Sequence, residues 1–375
     1  MKVLILANSS KGLFNFRKEL LKELKNPGVY VDSVEHEPYD VLICVPEKIN
    51  NENFTNIGCK VININLDRRG KNPLKDLKLI KNYKKIISDY KPDIVLTYTI
   101  KPNIYGGIAA HRYKIPYLVN ITGLGTSIHS NNFSSKFIKK LYKIGVKSAS
   151  EIFVQNKYNF EFFKKNIDDN ANYSLIPGSG INLSKFVYKK YPDKQTPIKF
   201  ITIGRIMRDK GIDELMYAIQ SIRRKYGDKV EFDIAGSFDD DSYKVIIEEL
   251  DHEGIINYRG HIDNIPHIIG DYHCIIHPSY HEGLSNVLLE AGATGRPVIA
   301  SDVPGCKETF VDGETGLAVK PRDSNDLINK IEEFISIPYE KKIEMGKANR
   351  SHVEKNFDRK IVVEKYLECI KKFAK

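Results

Sequence analysis

Residues Ile276–Glu308 read IHPSYHEGLSNVLLEAGATGRPVIASDVPGCKE and decide the fold of the second half of the chain. An apolar run ends at Ile276, and the polar stretch after it predicts a buried strand that leads into a loop. A short helix is predicted to begin near Ser285, and Gly295-Arg296-Pro297 ends it. The apolar run Val298–Ala300 predicts the next strand. The unit is therefore strand, loop, helix, strand.

Two glutamates occupy different positions in this unit. Glu282 lies in the loop before the helix and Glu290 lies inside the helix, with seven residues between them. The unpaired N–H groups and the positive dipole end of a helix start suit a phosphate. Glu290 stands five residues after the N-cap Ser285, or roughly 7.5 Å along the axis, about the separation of a diphosphate from its ribose. We expect the diphosphate at the helix start, the ribose at Glu290 and a sugar near Glu282; capping and a solvated face are the alternative interpretation.

The residues around the two glutamates resemble the donor-site signature of glycosyltransferase family 4. The resemblance rests on Glu-Gly-Leu-Ser-Asn at 282–286 and on the small pair Gly292 and Ala293 after the second glutamate. It implies a retaining nucleotide-sugar transferase with the α/β fold called GT-B, in which two Rossmann-like, doubly wound parallel-sheet domains face a cleft. The residues that it assigns to donor binding in this unit are Gly283, Leu284, Ser285, Asn286, Val287 and Glu290.

A second polar loop, Gly204–Gly211, follows the predicted strand Lys199–Ile203 and precedes another helix. Arg205 and Lys210 in this loop suit a diphosphate leaving group, because arginine offers a planar fork and lysine a point charge. Taken alone, such cations are usually solvated. The resemblance matches them to the phosphate-binding arginine and lysine of the family, with Arg208 as a weaker substitute. The expected catalytic residues are Glu282, Arg205 and Lys210, which would stabilise the departing diphosphate without a metal.

Three further segments bear on the donor site. Asp239 and Asp241 form the D-x-D pattern that metal-dependent transferases of another fold use, but here they predict a polar turn, so we expect no metal and no cofactor besides the donor itself. The resemblance implies that the backbone near Ile262 holds the nucleotide base, and that the loop containing Gly12 faces the donor phosphates. Gly12 by itself is typical of a turn, because no G-x-G-x-x-G pattern accompanies it and the NAD interpretation fails.

The first 120 residues alternate short apolar runs with amphipathic helical patterns, which predicts a doubly wound parallel sheet. The predicted strands are Val3–Leu6, Val41–Val45, Val61–Ile64, Ile94–Leu96 and Tyr117–Ile121. We expect a first domain over 1–177, a linker over 178–197 and a second domain over 198–356. By analogy with the fold, a C-terminal helix over 357–375 crosses back to the first domain.

The acceptor side is predicted in the first domain. Lys101 lies beside the helix that the loop Thr99–Asn103 opens, where it could bind an acceptor phosphate; an ordinary surface lysine is the alternative. With Thr122–Gly125, this loop resembles the subgroup that builds bacterial capsule, O-antigen and lipid-linked glycans. That resemblance implies a UDP-linked N-acetylhexosamine donor and a polyprenyl-diphosphate-linked saccharide acceptor, contacted by Lys101 and Asn103. Many family members carry a histidine in the second loop, but the nearest one here is His129, so no base is assigned.

Composition bounds the remaining possibilities. A length of 375 residues suits two domains, and the five scattered cysteines fit a reducing cytoplasm rather than a zinc or disulfide framework. The net charge of +10 suggests an anionic partner such as nucleic acid, acidic lipid or a phosphorylated substrate, although AT-rich codon usage would also enrich lysine. We expect no nucleic-acid partner, because no nucleic-acid-binding motif is visible. No apolar run approaches the roughly 20 residues that span a bilayer.

Two predicted helices in the first domain are strongly basic. In one, Lys136, Lys140, Lys143 and Lys147 share a face, while Phe133, Phe137, Leu141 and Ile144 share an apolar face. The other carries Lys75, Lys78, Lys81 and Lys85. We expect a cytoplasmic enzyme held at the anionic inner face of the cell membrane, at about 1 kcal/mol per lysine; solvated helix faces are the alternative.

Three rival functions share some of these features. A nucleotide-sugar 2-epimerase on the same fold needs no acceptor. A catalytically silent nucleotide-sugar-binding scaffold would not need Arg205, Lys210, Glu282 and Glu290 together. A nucleic-acid-binding protein would show salt-dependent binding to duplex DNA.

Overall fold

The computed structural model describes residues 1–31, 36–46, 51–67, 70, 72–123, 133–194 and 197–374. The chain forms two compact units, of which the first comprises Met1–Ser179 with Arg359–Lys375 and the second comprises Gly180–Asp358. The predicted linker 178–197 therefore lies mostly inside the second unit. Within the described ranges, no helix combines the length and the apolar character needed to cross a membrane.

The first unit is built on a seven-stranded sheet with the order β3-β2-β1-β4-β5-β6-β7, in which each neighbouring pair is parallel. Its strands are β1 Lys2–Leu6, β2 Asp40–Val45, β3 Lys60–Asn63, β4 Ile94–Tyr98, β5 Tyr117–Ile121, β6 Glu151–Val154 and β7 Tyr173–Leu175. The strand order reverses between β1 and β4, which confirms the doubly wound topology predicted from the alternating pattern.

Helices cover both faces of this sheet. They are α1 Ser10–Lys25, α2 Asn51–Thr55, α3 Pro73–Tyr90, α4 Gly107–Arg112, α5 Phe133–Val146 and α6 Lys157–Asn166, with a π-helical turn Pro102–Gly106 before α4. On one face, Leu20 of α1 packs with Tyr366 of the C-terminal helix Arg359–Phe373. On the other face, α3, α4, α5 and α6 share a single apolar cluster that includes Tyr83 and Tyr142. Helices α3 and α5 therefore belong to the same layer.

Helix α5 leaves part of its predicted apolar face exposed. The side chains of Phe137 and Ile144, assigned to the apolar face, are 54% and 51% exposed. Tyr142 is buried instead, because α5 approaches the π-helical turn along a line through Gly145. A Cβ on Gly145 would lie 2.6 Å from the Cα of Ile104, so only glycine permits this approach. The two apolar side chains consequently lie among exposed lysines.

The second unit contains a six-stranded sheet with the order β10-β9-β8-β11-β12-β13, again with parallel neighbours. Its strands are β8 Ile198–Ile203, β9 Val230–Ala235, β10 Asn257–Gly260, β11 Cys274–His277, β12 Val298–Ser301 and β13 Gly316–Val319. Its helices are α7 Ile212–Tyr226, α8 Lys244–His252, α9 Ile265–Ile268, α10 Asn286–Ala293, α11 Ser324–Ser336 and α12 Tyr339–Phe357. The order β8-β11 again marks a reversal, at the point where ligands bind in such sheets.

Arg296 explains why the predicted linker belongs to the second unit. Its fully buried guanidinium donates to the backbone carbonyls of Lys189 and Lys190 as well as to that of Gly270. Burial lowers the pKa of Arg296 to about 10, and the ring of Tyr191 lies 5.4 Å from its guanidinium carbon. A buried cation that satisfies the carbonyls of an irregular segment holds that segment in place.

Candidate functional site

Three loops of the second unit meet beyond the carboxyl ends of β8, β11 and β12, which are adjacent strands of the sheet. The backbone N–H of Tyr280 donates to the carbonyl of Asp209 at 2.9 Å, which joins the first two loops. The N–H of Ser285 donates to the carbonyl of Gly305 at 2.7 Å, which joins the second to the third. The loop after β11 is thus fixed from both sides.

Two glycines allow this close approach. Gly211 has φ +70°, and a Cβ there would lie 2.1 Å from the carbonyl oxygen of Pro278. Gly305 has φ +87°, and a Cβ there would lie 2.4 Å from the carbonyl oxygen of Glu282. Any other residue would clash at both positions and would also be strained in the left-handed region. The loops that carry Lys210 and Glu282 can therefore touch.

The side chains of Lys210 and Glu282 form an ion pair at this junction. Lys210 ends the 3₁₀ turn Arg208–Lys210, so the turn directs its amine toward the loop after β11. Nε2 of His277 lies 2.9 Å from the same carboxylate oxygen, Oε1 of Glu282. Only 18% of the Lys210 side chain, 16% of Glu282 and 5% of His277 are exposed, so the cluster is largely shielded from water.

The charge state of Glu282 follows from its neighbours. Burial alone would raise the pKa of this carboxyl, but the hydrogen bond from His277 and the positive charge of Lys210 outweigh burial and hold the pKa well below its usual range. Glu282 is therefore an anion over the whole physiological pH range. It can accept a hydrogen bond from a sugar hydroxyl, but it cannot act as a proton donor.

Helix α10 begins beside this cluster. Ser285 is its N-cap residue, as predicted, but its hydroxyl makes no capping hydrogen bond and instead lies 3.2 Å from Nε2 of His277. The N–H groups of the first helical turn have no intrahelical carbonyl to bind, so they remain available to an anion. Glu290 is partly buried and lies on the same helix, about 7.5 Å from Ser285 by helical rise.

Arg205 contacts a carboxylate that the sequence did not indicate as its partner. Its Nη1 forms an ion pair at 2.9 Å with Oδ2 of Asp239, and 56% of its side chain is exposed. In the described part of the chain, Arg205 thus pairs with the loop after β9 rather than with Glu282. Among the described residues, no group of three or more His, Cys, Asp and Glu side chains could hold a metal ion, and Asp239 of the D-x-D pattern is engaged by Arg205.

The other residues predicted at the donor site surround the start of α10. Leu284 is buried in an apolar cluster with Leu289, which anchors the loop to the helix. Val287 and Ile262 both pack, partly buried, against the neighbouring cluster that contains Leu288. Gly283, in the loop before the helix, and Asn286, the first residue of α10, are both partly exposed.

The residues predicted on the acceptor side belong to the first unit. Gly12 lies in the first turn of α1 rather than in a loop, and its N–H donates to Oγ of Ser9 at 3.2 Å. Lys101 forms an ion pair at 2.7 Å with Asp76, and 13% of its side chain is exposed. Asn103 is fully buried and donates to the carbonyl of Asn120 at 2.8 Å, so it holds the π-helical turn against β5 and leaves no surface for a substrate.

The loop that begins with Thr122 falls partly outside the described residues. Thr122 and Gly123 follow β5, whereas Leu124, Gly125 and His129 lie outside the described ranges.

His277 is the site residue that the sequence interpretation missed. It is the last residue of β11 and comes five positions before Glu282. A polar residue at the carboxyl end of a buried strand, just before a candidate catalytic loop, is the signal that would have identified it, since ligands bind at those strand ends.

Comparison with known proteins bears on both units. Residues 2–156 match the family described as Glycosyl transferase 4-like, and residues 185–352 match the family described as Glycosyl transferases group 1. The chain is 25% identical, over the full length of both proteins, to the N,N'-diacetylbacillosaminyl-diphospho-undecaprenol alpha-1,3-N-acetylgalactosaminyltransferase of Campylobacter jejuni. It is 26% identical to the capsular polysaccharide biosynthesis glycosyltransferase CapM of Staphylococcus aureus, over 80% of this chain and 82% of that protein.

Solved structures share the fold over nearly the whole chain. The sucrose-phosphate synthase of Thermosynechococcus elongatus superposes with a TM-score of 0.79 at 20% identity, covering 99% of this chain and 98% of that one. Anabaena HepE in complex with UDP and glucose superposes with a TM-score of 0.78 at 17% identity, covering 99% of this chain and all of that one. These likenesses confirm the predicted GT-B fold class.

Proposed function

We propose that this chain, which belongs to the group 1 glycosyltransferases with a 4-like N-terminal domain, transfers an N-acetylhexosamine from a UDP-sugar to a polyprenyl-diphosphate-linked saccharide, with retention at the anomeric carbon. The observation that carries the proposal is the contact of Lys210 with Glu282 beside the start of α10. This contact places a lysine that can bind a diphosphate beside a carboxylate that can bind sugar hydroxyls. A UDP-sugar contains these two groups side by side.

The donor diphosphate binds at the N-terminus of α10. The first-turn amides and the positive end of the helix dipole attract it, and the amine of Lys210 reaches it from the loop after β8. Negative charge grows on the diphosphate as the bond to the sugar breaks, so these donors stabilise the transition state more than the bound substrate. Arg205 adds a second cation if the donor draws it from Asp239.

Glu282 holds the sugar. Both Lys210 and His277 engage its Oε1, so Oε2 retains its lone pairs for a sugar hydroxyl. The ionised carboxylate also stabilises positive charge that develops at the anomeric carbon. Glu290, farther along α10, is the group proposed to bind the ribose hydroxyls.

The nature of the acceptor is supported by the relatives. The Campylobacter jejuni protein is named for a lipid-linked acceptor, diphospho-undecaprenol, and for transfer of N-acetylgalactosamine. The Staphylococcus aureus relative is named for capsular polysaccharide biosynthesis. An acceptor of this class carries a diphosphate and a long hydrocarbon chain, so the enzyme must work at a membrane surface.

The apolar-basic surface of the first unit fits that requirement. On α3, the side chains of Leu74 and Leu77 are 76% and 63% exposed, and on α5 Phe137 and Ile144 are similarly exposed. The exposed lysines at the same helical spacing are Lys78, Lys81 and Lys85 on α3 and Lys140 on α5, with Lys147 directly after the end of α5. Both helices pack against the π-helical turn and α4, in one layer. Apolar side chains surrounded by lysines are the composition that binds anionic lipid headgroups.

The function is tested by transfer to a defined acceptor. The protein is incubated with UDP-N-acetylgalactosamine, UDP-N-acetylglucosamine, UDP-glucose or GDP-mannose, and with an undecaprenyl-diphosphate-linked saccharide in vesicles. Mass spectrometry should detect one added N-acetylhexosamine with a UDP donor, and NMR should give the same anomeric configuration as in the donor. An isomerised donor without acceptor would favour the epimerase instead. Donor binding with neither transfer nor slow hydrolysis would favour the silent scaffold.

A further inference from the structure

His277 contacts two groups of the donor site at once. Its Nε2 lies 2.9 Å from Oε1 of Glu282 and 3.2 Å from Oγ of Ser285, and the residue is 4% exposed. It ends β11, in the middle of the sheet, where its backbone pairs with Ala300 of β12. The ring is therefore held by the sheet itself rather than by a loop.

The hydrogen-bonding role of Nε2 of His277 follows from these contacts. Glu282 is ionised and can only accept hydrogen bonds, so Nε2 of His277 must carry a proton and donate it. The same N–H also faces Oγ of Ser285, so this oxygen is the acceptor of that contact and uses a lone pair for it. The hydroxyl proton of Ser285 is consequently free to point at an anion at the start of α10.

We propose that His277 is a positioning residue for the donor sugar. By holding Oε1 of Glu282, it presents Oε2 to a sugar hydroxyl. Through its contact with Ser285, it also fixes the position of that carboxylate relative to the diphosphate site at the start of α10. This inference rests on the proposed function, because it assigns the orientation of the same donor. Lys210 also engages Oε1, but it extends from a flexible stem in another loop and is the group drawn to the diphosphate. His277 retains Glu282 when Lys210 turns to the phosphate.

The charged and titratable groups near Glu282 come from several elements. Lys210 lies on the turn after β8, His277 on β11, His281 in the same loop, and Cys306 in the loop after β12. Burial lowers the pKa of His281 and raises the pKa of the Cys306 thiol, so both stay neutral near pH 7. His277 and Lys210 are thus the two groups that keep Glu282 ionised.

The test compares four forms of the full-length chain, namely wild type, His277→Leu, His277→Gln and His277→Asn. Leucine has a similar volume without a donor. The glutamine amide reaches the position of Nε2, whereas the asparagine amide falls short of it. For each form, the dissociation constants of UDP and of the preferred UDP-sugar are measured by calorimetry, and kcat/KM is measured as a function of pH. Melting temperatures report folding.

We expect His277→Leu and His277→Asn to lower kcat/KM about tenfold or more, the effect of losing one charge-assisted hydrogen bond, while His277→Gln retains most of the activity. UDP alone should bind all four forms within about twofold, because it lacks the sugar that Glu282 holds. The acid limb of the pH profile should move to higher pH in the leucine and asparagine forms, since the hydrogen bond that lowers the pKa of Glu282 is lost.

Several outcomes would overturn the inference. Unchanged kcat/KM and pH profile in His277→Leu would remove His277 from donor positioning, and equal losses of UDP and UDP-sugar binding would mean a merely structural role. If His277→Leu does not fold, the contrast between the glutamine and asparagine forms decides. A wild-type protein that binds no nucleotide sugar would refute the proposed function itself, which this comparison separates from a failure at His277 alone.

Discussion

Gly211 packs directly against Pro278: with φ +70°, its Cα leaves no room for a Cβ, which would lie 2.1 Å from the carbonyl oxygen of Pro278. The contact sets the distance between the loop that carries Lys210 and the loop that carries Glu282. The geometry of the donor site therefore depends on a residue with no side chain.

Gly211→Ala tests that dependence. The added methyl group must push the two loops apart, so the contact between Lys210 and Glu282 should be lost and kcat/KM should fall about tenfold or more. Gly254→Ala is a matched control, because Gly254 has φ +68° and a Cβ there meets nothing within 4 Å. Backbone strain should cost both variants about 1 kcal/mol of stability, and Gly211→Ala should lose more because of its clash with Pro278; denaturant unfolding measures both losses. Equal activity in the two variants would contradict the prediction.

Lys210→Ala should lower kcat/KM by about 10²-fold or more, because it removes a cation that stabilises the departing diphosphate. Arg208→Ala is the control, since Arg208 lies in the same 3₁₀ turn and 78% of its side chain is exposed. Removing Lys210 also removes a charge that lowers the pKa of Glu282, so the loss should be larger at acid pH. Steady-state kinetics with the preferred UDP-sugar measure both effects. A wild-type rate in Lys210→Ala would exclude this lysine from the mechanism.

The apolar-basic surface predicts binding to anionic vesicles. A variant with Leu77→Ser and Phe137→Ser should bind vesicles that contain phosphatidylglycerol at least about tenfold more weakly in a sedimentation assay, because each buried apolar side chain contributes about 1.5–3 kcal/mol. Val245→Ser is the control, since Val245 is 64% exposed and belongs to the second unit. Hydrolysis of the donor in solution should be unchanged in both. Equal vesicle binding by all forms would place the membrane contact elsewhere.

His273 predicts how the stability of the second unit depends on pH. It is 5% exposed, its Nδ1 accepts the N–H of Lys199 at 3.0 Å, and burial lowers its pKa to about 4. The unfolded chain binds a proton at about pH 6.5, so this stabilisation is complete above that pH and is lost as the pH falls to about 4. The amount lost is on the order of 3 kcal/mol.

His273→Asn isolates this effect, because the amide oxygen can still accept the backbone N–H but does not titrate. Urea unfolding between pH 4 and 7 should give a steeper loss of stability in the wild type than in the variant. Parallel curves would mean that His273 is not the group responsible.

The strands were predictable because parallel strands are buried on both faces and read as short apolar runs. The predicted Tyr117–Ile121 coincides with β5, and Val41–Val45 misses β2 by one residue. The sequence did not predict which side chains of α5 are buried, because the helix approaches the π-helical turn closely at one small residue. Gly145 is that residue, and no periodicity of apolar side chains indicates it.

The sequence could indicate a candidate site where one loop contains the whole pattern. Residues 282–290 contain a glutamate, a helix-start pattern and a second glutamate, and their spacing along the sequence is enough to predict that the two carboxylates flank a helix start. The ion-pair partners of the other candidate residues could not be predicted in this way. Arg205 pairs with Asp239 and Lys101 pairs with Asp76, and each pair joins two segments that are distant in the sequence.

The sequence by itself determined two parallel-sheet units and the loop that carries the glutamates, since both depend on local apolar patterns and on helix-start chemistry. Only the tertiary structure decided that Lys210 and His277 share one oxygen of Glu282. That choice depends on which strands are neighbours in the sheet and on two glycines that let their loops approach. A hydrogen bond requires its two atoms to lie within about 3 Å of each other, and the number of residues between two positions in the sequence does not predict that distance.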